Sequence, residues 1–148
     1  TAATLDCLSR VNFWKYGLDY RCGTGHGVGF MLNVHEGPQG FGGGANQTVL
    51  EPGMVLTIEP GVYTEGSHGI RTENTVVIRE GETTEYGTFY YFEPFTVVPI
   101  DIDCIDKSML TADEINWLND FHKHVYEKVS PLVSERARKW LEKKTKNI

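Results

Sequence analysis

The sequence predicts an α+β fold in which a helix comes first, antiparallel strands follow, and helices close the chain. Three observations carry this. The opening run Thr4-Leu5-Asp6-Cys7-Leu8-Ser9-Arg10-Val11 reads as a helix already under way, with Leu5 and Leu8 on one face, and it leads to Gly17, a helix-ending residue. Two segments rich in β-branched residues, 53–63 and 70–79, flank a short turn sequence. Further on, Thr111 and Glu114 have the capping-box spacing that opens a helix.

Taken in order, the first helix is expected over residues 1–16. The glycine-rich stretch Gly37–Asn46 follows the next strands and fits neither a Walker sequence nor a dinucleotide turn, so it reads as a connector that could double as a substrate-side loop. The strands at 53–63 and 70–79 are joined by Thr64-Glu65-Gly66-Ser67-His68-Gly69, whose glycines can take positive φ. His68 is expected as an exposed turn residue. A further strand pair is expected through Thr83–Tyr86 and Tyr90–Pro99. The helix opened by Thr111 carries an apolar face of Ile115, Leu118, Phe121 or His122, Val125 and Val129. Ser130-Pro131 restarts a helix carrying Leu132, Val133, Ala137, Trp140 and Leu141, with Pro131 at a tolerated first position. His122 and His124 cannot share a helix face, and both are expected at the surface.

Composition is that of an ordinary globular chain: 148 residues, 40% hydrophobic and 23% charged. A net charge of −6 argues against a nucleic-acid partner, whose binding is driven by phosphate neutralisation. The basic stretches Arg136–Lys139 and Lys143–Lys146 read as a solvated helix face complementing the helix dipole. No signal segment and no apolar run of bilayer length stands in the sequence, so no membrane partner and a cytoplasmic location are expected. Cys7, Cys22 and Cys104 are widely spaced and read as free thiols. The first residue is Thr1 rather than methionine, and the reading is of a piece of a longer chain.

The chemistry begins with two glutamates. If the turn centres on Gly66, paired residues have numbers that sum to 132, and Glu59 falls opposite Glu73. Like charges set directly across a sheet repel, so a cation between them is expected; carboxylates turned to solvent are the alternative. Upstream, His26 is bracketed by glycines and His35 lies nine positions on. The odd offset places the two rings on opposite faces of any continuous strand, so a bend or bulge must intervene if both serve one site. Carboxylate and imidazole without thiolate suit manganese, cobalt, iron or zinc, and a bridging carboxylate suits two ions roughly 3.5–4 Å apart. Such a pair lowers the pKa of a shared water, and hydrolysis is the natural reaction.

These motifs resemble the pita-bread metallopeptidases, and most closely the aminopeptidase P (Xaa-Pro aminopeptidase) family. Gly23–Gly29 with Asn33–Pro38 is similar to the family's histidine segment, Glu51–Tyr63 to its first glutamate strand, and Gly69–Asn74 to its second. Phe92–Asp101 and the helices after it resemble the C-terminal extension of the larger, cytosolic-type enzymes. The resemblance implies the C-terminal half of a pita-bread domain over 1–98, a curved antiparallel sheet with helices on one side, followed by a helical extension over 99–148. It implies two divalent ions, manganese first and zinc or cobalt as alternatives, and removal of the N-terminal residue from peptides with proline in second position. His26, Glu59 and Glu73 match three of five metal ligands. The other two are aspartates of the preceding half, whose roles do not carry over to Asp101 and Asp103. The resemblance further implies that Glu59 holds a proton from the attacking water and that His35 steadies the substrate, and Arg71, two residues before Glu73 on one strand face, is expected to support a ligating carboxylate. The expected partners are the peptide, the missing N-terminal half and a second copy in a homodimer. A catalytically dead binding module, a dimerisation piece and a metal-free creatinase-like hydrolase are the other readings.

Overall fold

The computed structural model describes residues 1–31, 33–42 and 47–148, in two compact units, Thr1–Thr96 and Val97–Ile148. The first unit opens with helix α1 (Ala2–Trp14), which ends through a turn at Gly17, held at φ +67°. Its inward face differs from the one expected. Leu5 and Leu8 are exposed, whereas Ala2 and the carboxylate of Asp6 are buried. The reason is polar: Asp6 and Arg10 bond the chain that follows the helix and so turn that side inward.

Seven strands among the described residues complete this unit. β1 (Gly25–His26) pairs with β2 (Gly40–Phe41), so part of the stretch expected as a connector is sheet, with Phe41 buried in the core. Residues 43–46 of that stretch lie outside the described residues. β3 (Val55–Ile58), β6 (Asn74–Thr84) and β7 (Gly87–Pro94) form one antiparallel sheet, and β4 (Gly61–Thr64) pairs with β5 (His68–Arg71) in a second. Leu56, Val76 and Ile78 pack with Ala2 and Phe41 as the core, backed by half-buried Leu50, Met54 and Ile58.

The long hairpin keeps one register on both sides of a gap. Val55 pairs with Val77 and Ile58 with Asn74; Gly61 pairs with Arg71 and Thr64 with His68; every sum is 132. Glu59-Pro60 and Thr72-Glu73 occupy the gap, so the two continuous strands expected from sequence are each broken once. Pro60 has no N–H to give a ladder. The Glu59 N–H goes elsewhere, to the Thr24 carbonyl at 2.6 Å. The turn closes at Gly66 with φ +69°, and His68 is exposed as the first residue of β5.

The second strand pair also differs from expectation. Thr83 and Thr84 are the end of β6 rather than a new strand, the turn is at Glu85-Tyr86 with Gly87 at φ +119°, and β7 stops at Pro94 instead of running to Pro99. A register shift between Glu80 and Thr83 absorbs Gly81 within the long strand.

In the second unit, α2 (Ala112–Val129) starts at the expected capping box, with Thr111 and Glu114 each bonding the other's backbone N–H. Leu118, Phe121 and Val125 face inward, and Phe121 and Val125 pack with Leu141 of α3 (Glu135–Lys144). His122 is fully buried, against the surface position expected for it, because the buried stripe is wide enough to take both Phe121 and its neighbour. The helix restart is corrected too. Ser130–Leu132 form only a 3-10 turn, Ser134 caps α3 by accepting from the Ala137 N–H, and Leu132 and Trp140 are exposed. Of the basic residues, Lys144 is held by Asp101 at 3.0 Å and Asp103 at 2.6 Å rather than merely solvated. That pairing, first through Lys144 and then through the Asp103 N–H, keeps the Asp101 carboxyl below the usual carboxylate range.

Candidate metal centre

Glu59 is the organising residue. Its side chain is about one-tenth exposed, and both carboxylate oxygens are engaged. Oε1 lies 2.8 Å from His26 Nε2 and accepts from the Thr57 hydroxyl at 2.9 Å; Oε2 accepts from Arg71 Nη1 at 2.9 Å. Arg71 thus pairs with Glu59, across the hairpin from its own strand.

His26 reaches this point because β1 lies against β3. Gly25 makes the approach possible: a Cβ there would stand 1.8 Å from the Thr57 carbonyl oxygen, so only glycine fits. The main chain then makes the bend that two histidines nine apart require. Gly29 N–H donates to Asn33 O at 2.8 Å and Glu36 N–H to Gly27 O at 2.9 Å, which returns the chain alongside itself. His35 comes back with its ring centroid 4.1 Å from that of His26, edge to face, on the exposed side. Glu73 is exposed and forms no ion pair among the described residues. No three His, Cys, Asp or Glu side chains among the described residues converge as a ready ion-binding group.

The tautomer of His26 bears on whether these residues suit a metal. Nδ1 lies 2.9 Å from the Gly27 carbonyl, which can only accept, so the ring proton belongs on Nδ1 and a neutral ring turns the Nε2 lone pair toward Glu59. Two electron-rich atoms 2.8 Å apart hold together only with a proton or a cation between them. A backbone carbonyl fixing the far nitrogen is the usual outer support of a metal-bound histidine. The donor set, oxygen and imidazole nitrogen without sulfur, suits the borderline divalent ions.

Behind the pair lies a buried polar network that the sequence reading missed. Asp6 accepts from the Thr24 hydroxyl, Thr24 Oγ1 lies 2.5 Å from the Tyr20 hydroxyl, and Tyr20 reaches Ser9 at 2.9 Å. Arg10 clamps Asp6, Asp19 and the carbonyls of Tyr20 and Cys22. Thr24 in turn offers its carbonyl to the Glu59 amide. The spacing of Asp6 and Arg10, four apart on a helix, was the available signal.

Fold and site together define an α+β segment in which an imidazole and a carboxylate converge from neighbouring strands. Comparison with known proteins gives the family. The profile of metallopeptidase family M24 matches residues 1–80 and that of the C-terminal region of peptidase M24 matches residues 88–148. The chain belongs to metallopeptidase family M24. It is 46% identical to the probable Xaa-Pro aminopeptidase P of Coprinopsis cinerea, with 100% of this chain and 25% of that protein covered. It is 45% identical to Xaa-Pro aminopeptidase 1 of Dictyostelium discoideum, with 97% of this chain and 24% of that protein covered. The X-prolyl aminopeptidase of Caenorhabditis elegans, described as a cytosolic enzyme with a di-nuclear active site, superposes with a TM-score of 0.90 at 42% identity, covering 99% of this chain and 25% of that one. The chain thus spans about a quarter of the length of these relatives. Its α+β arrangement is that of the aminopeptidase P pita-bread fold. No helix among the described residues is long and apolar enough to cross a membrane.

Proposed function

We propose that this chain supplies part of the active site of a cytoplasmic, metal-dependent aminopeptidase that releases the N-terminal residue from peptides with proline in second position. The observation that carries the reading is the meeting of His26 Nε2 and Glu59 Oε1 at 2.8 Å, with the far ring nitrogen tied to a carbonyl. On this reading His26, Glu59 and Glu73 are metal ligands, completed by two aspartates from the other half of the catalytic domain. Two divalent ions, manganese in preference to zinc or cobalt, would supply an acidic water and polarise the scissile carbonyl. The residues present divide the remaining work. Glu59, buried and already a hydrogen-bond acceptor from Thr57, takes the proton of the attacking water. His35, exposed beside His26, donates to the substrate carbonyl as it gains charge. Arg71 holds Glu59 Oε2 in place from the facing strand. The whole enzyme is expected to be a homodimer.

The test is on the full-length protein. Loaded with Mn²⁺, it should cleave an Xaa-Pro peptide in preference to its Xaa-Ala counterpart, and Glu59→Gln or Glu73→Gln should lower kcat/KM by more than about 100-fold. The 148-residue chain by itself should bind Mn²⁺ weakly and turn over no peptide. Cleavage that survives chelation, or that ignores proline, refutes the assignment.

A further inference from the structure

Thr57 sits at the joint between the two elements that bring the site together. It is 2% exposed, on β3, two residues before Glu59 and therefore on the same side of the chain. Its hydroxyl does two things at once. Oγ1 accepts from the His26 backbone N–H at 3.0 Å and donates to Glu59 Oε1 at 2.9 Å. A hydroxyl has one proton to give and lone pairs to receive, so both bonds are made without competition. Neither neighbour offers a substitute at these positions. The Glu59 amide is committed to Thr24, and Arg71 approaches the other carboxylate oxygen. The main chain is equally tight here, since Gly25 approaches the Thr57 carbonyl too closely for any side chain.

We propose that Thr57 is a positioning residue for the site: one buried hydroxyl sets the distance and direction between the His26 imidazole, through its backbone, and the Glu59 carboxylate. The inference rests on the reading of His26 and Glu59 as metal ligands. Threonine suits the place for two reasons. Its branched Cβ restricts χ1 on a strand, so the hydroxyl is pre-aimed, and its methyl fills the space a serine would leave. Valine has the same shape with no hydrogen bond. It would leave the His26 N–H without its partner and the carboxylate with one fewer donor.

The experiment compares Thr57→Val, Thr57→Ser and Thr57→Cys in the full-length protein by calorimetric titration with Mn²⁺, alongside the thermal unfolding of each metal-free variant. Loss of a supporting partner of a metal ligand typically weakens affinity about 10–100-fold, and that is the change expected for Val. Serine should return the affinity to within about threefold of the parent, and cysteine, a weak donor, should fall between. The serine variant loses a buried methyl and should unfold at a lower temperature than the parent while binding metal nearly as well. That split separates positioning from general stability. Should Val fail to fold, the Ser and Cys pair still orders the series. Parent-like Mn²⁺ affinity in Val or Cys, or a serine variant that loses affinity in step with its stability, overturns the role of Thr57 and leaves the metal reading intact. A parent protein that binds no Mn²⁺ overturns both.

Discussion

Replacing Arg10 by methionine should be among the most damaging single changes in the first unit. The guanidinium is 13% exposed and the carboxylate beneath it, Asp6, is 5% exposed, so this is a buried pair rather than a surface one. Arg10 donates to Asp6 at 2.7 Å, to Asp19 at 2.9 Å and to the carbonyls of Tyr20 and Cys22 at 2.7 and 2.9 Å, and lies 4.1 Å from the Tyr20 ring centroid. Stranding a buried charge by removing its partner costs about 3–5 kcal/mol. The Asp19 partner is half exposed and adds little. Each carbonyl left short of a donor adds roughly 1 kcal/mol at most, since solvent reaches the opened edge. A loss of about 4–6 kcal/mol follows, equal to a midpoint shift of roughly 3–4 M urea at a slope near 1.5 kcal/mol/M. Urea unfolding followed by circular dichroism measures it. Adding Asp6→Asn should recover about half the loss, because the stranded charge is then gone while its oxygen can still accept from Thr24. The reasoning fails if Arg10→Met costs less than about 1 kcal/mol, or if the double variant is as unstable as the two losses added together.

Two further outcomes are expected. Burial holds the His122 ring neutral, moving its pKa down from the ordinary 6.5, while its Nε2 accepts from the Ile100 N–H at 3.1 Å. The unfolded chain therefore binds the proton first, so the stability this residue contributes is present above pH 6.5 and lost as the pH falls through the lower folded value. Relative to His122→Asn, the parent chain should lose up to ~1.4 kcal/mol per pH unit in that window, read from urea midpoints at several pH values; equal slopes in the two proteins count against it. Gly25→Ala should destabilise the first unit by at least ~2 kcal/mol, since its methyl meets backbone rather than a movable side chain. An alanine variant with a parent-like urea midpoint would mean that β1 is not seated on β3 as described.

What the sequence made legible was local chemistry. Thr111 and Glu114 mark a helix start because both halves of the capping box are short-range bonds, and Gly66 sets the hairpin register because turn geometry fixes pairing. His26 and Glu59 could be singled out by residue type and spacing, but their meeting depends on β1 crossing to β3, a contact between residues more than thirty positions apart. The misses share a cause. Leu5 and Leu8 share a helix face by periodicity, yet that face is exposed, because periodicity counts apolar side chains only; it is blind to a carboxylate such as Asp6 that is drawn inward by Arg10 and Thr24. His122 was expected outside on polarity, yet within the buried stripe its Nε2 accepts a hydrogen bond from the Ile100 amide. In each case a specific hydrogen bond overrode the average preference of the residue type.

The gap in the hairpin has a local cause. Register continues across it unchanged. Along this strand the edge toward β6 is taken by alternate residues, as in the Ile78 N–H bond to the Met54 carbonyl, and Pro60, next on that edge, has no proton to offer. The amide of Glu59 lies on the other edge, with the Val55 carbonyl that accepts from Val28, and bonds Thr24. Thr24 is an acceptor worth having only if it is rigid, and its rigidity comes from Asp6, Tyr20 and the Arg10 clamp. A helix near the start of the chain thereby steadies the main chain to which Glu59 is bonded. With its amide turned to Thr24, Glu59 is held from the β1 side at both ends of the residue: main chain by Thr24, carboxylate by His26. The polar network beneath α1 therefore reaches the candidate site through one backbone bond, from the Glu59 amide to the Thr24 carbonyl.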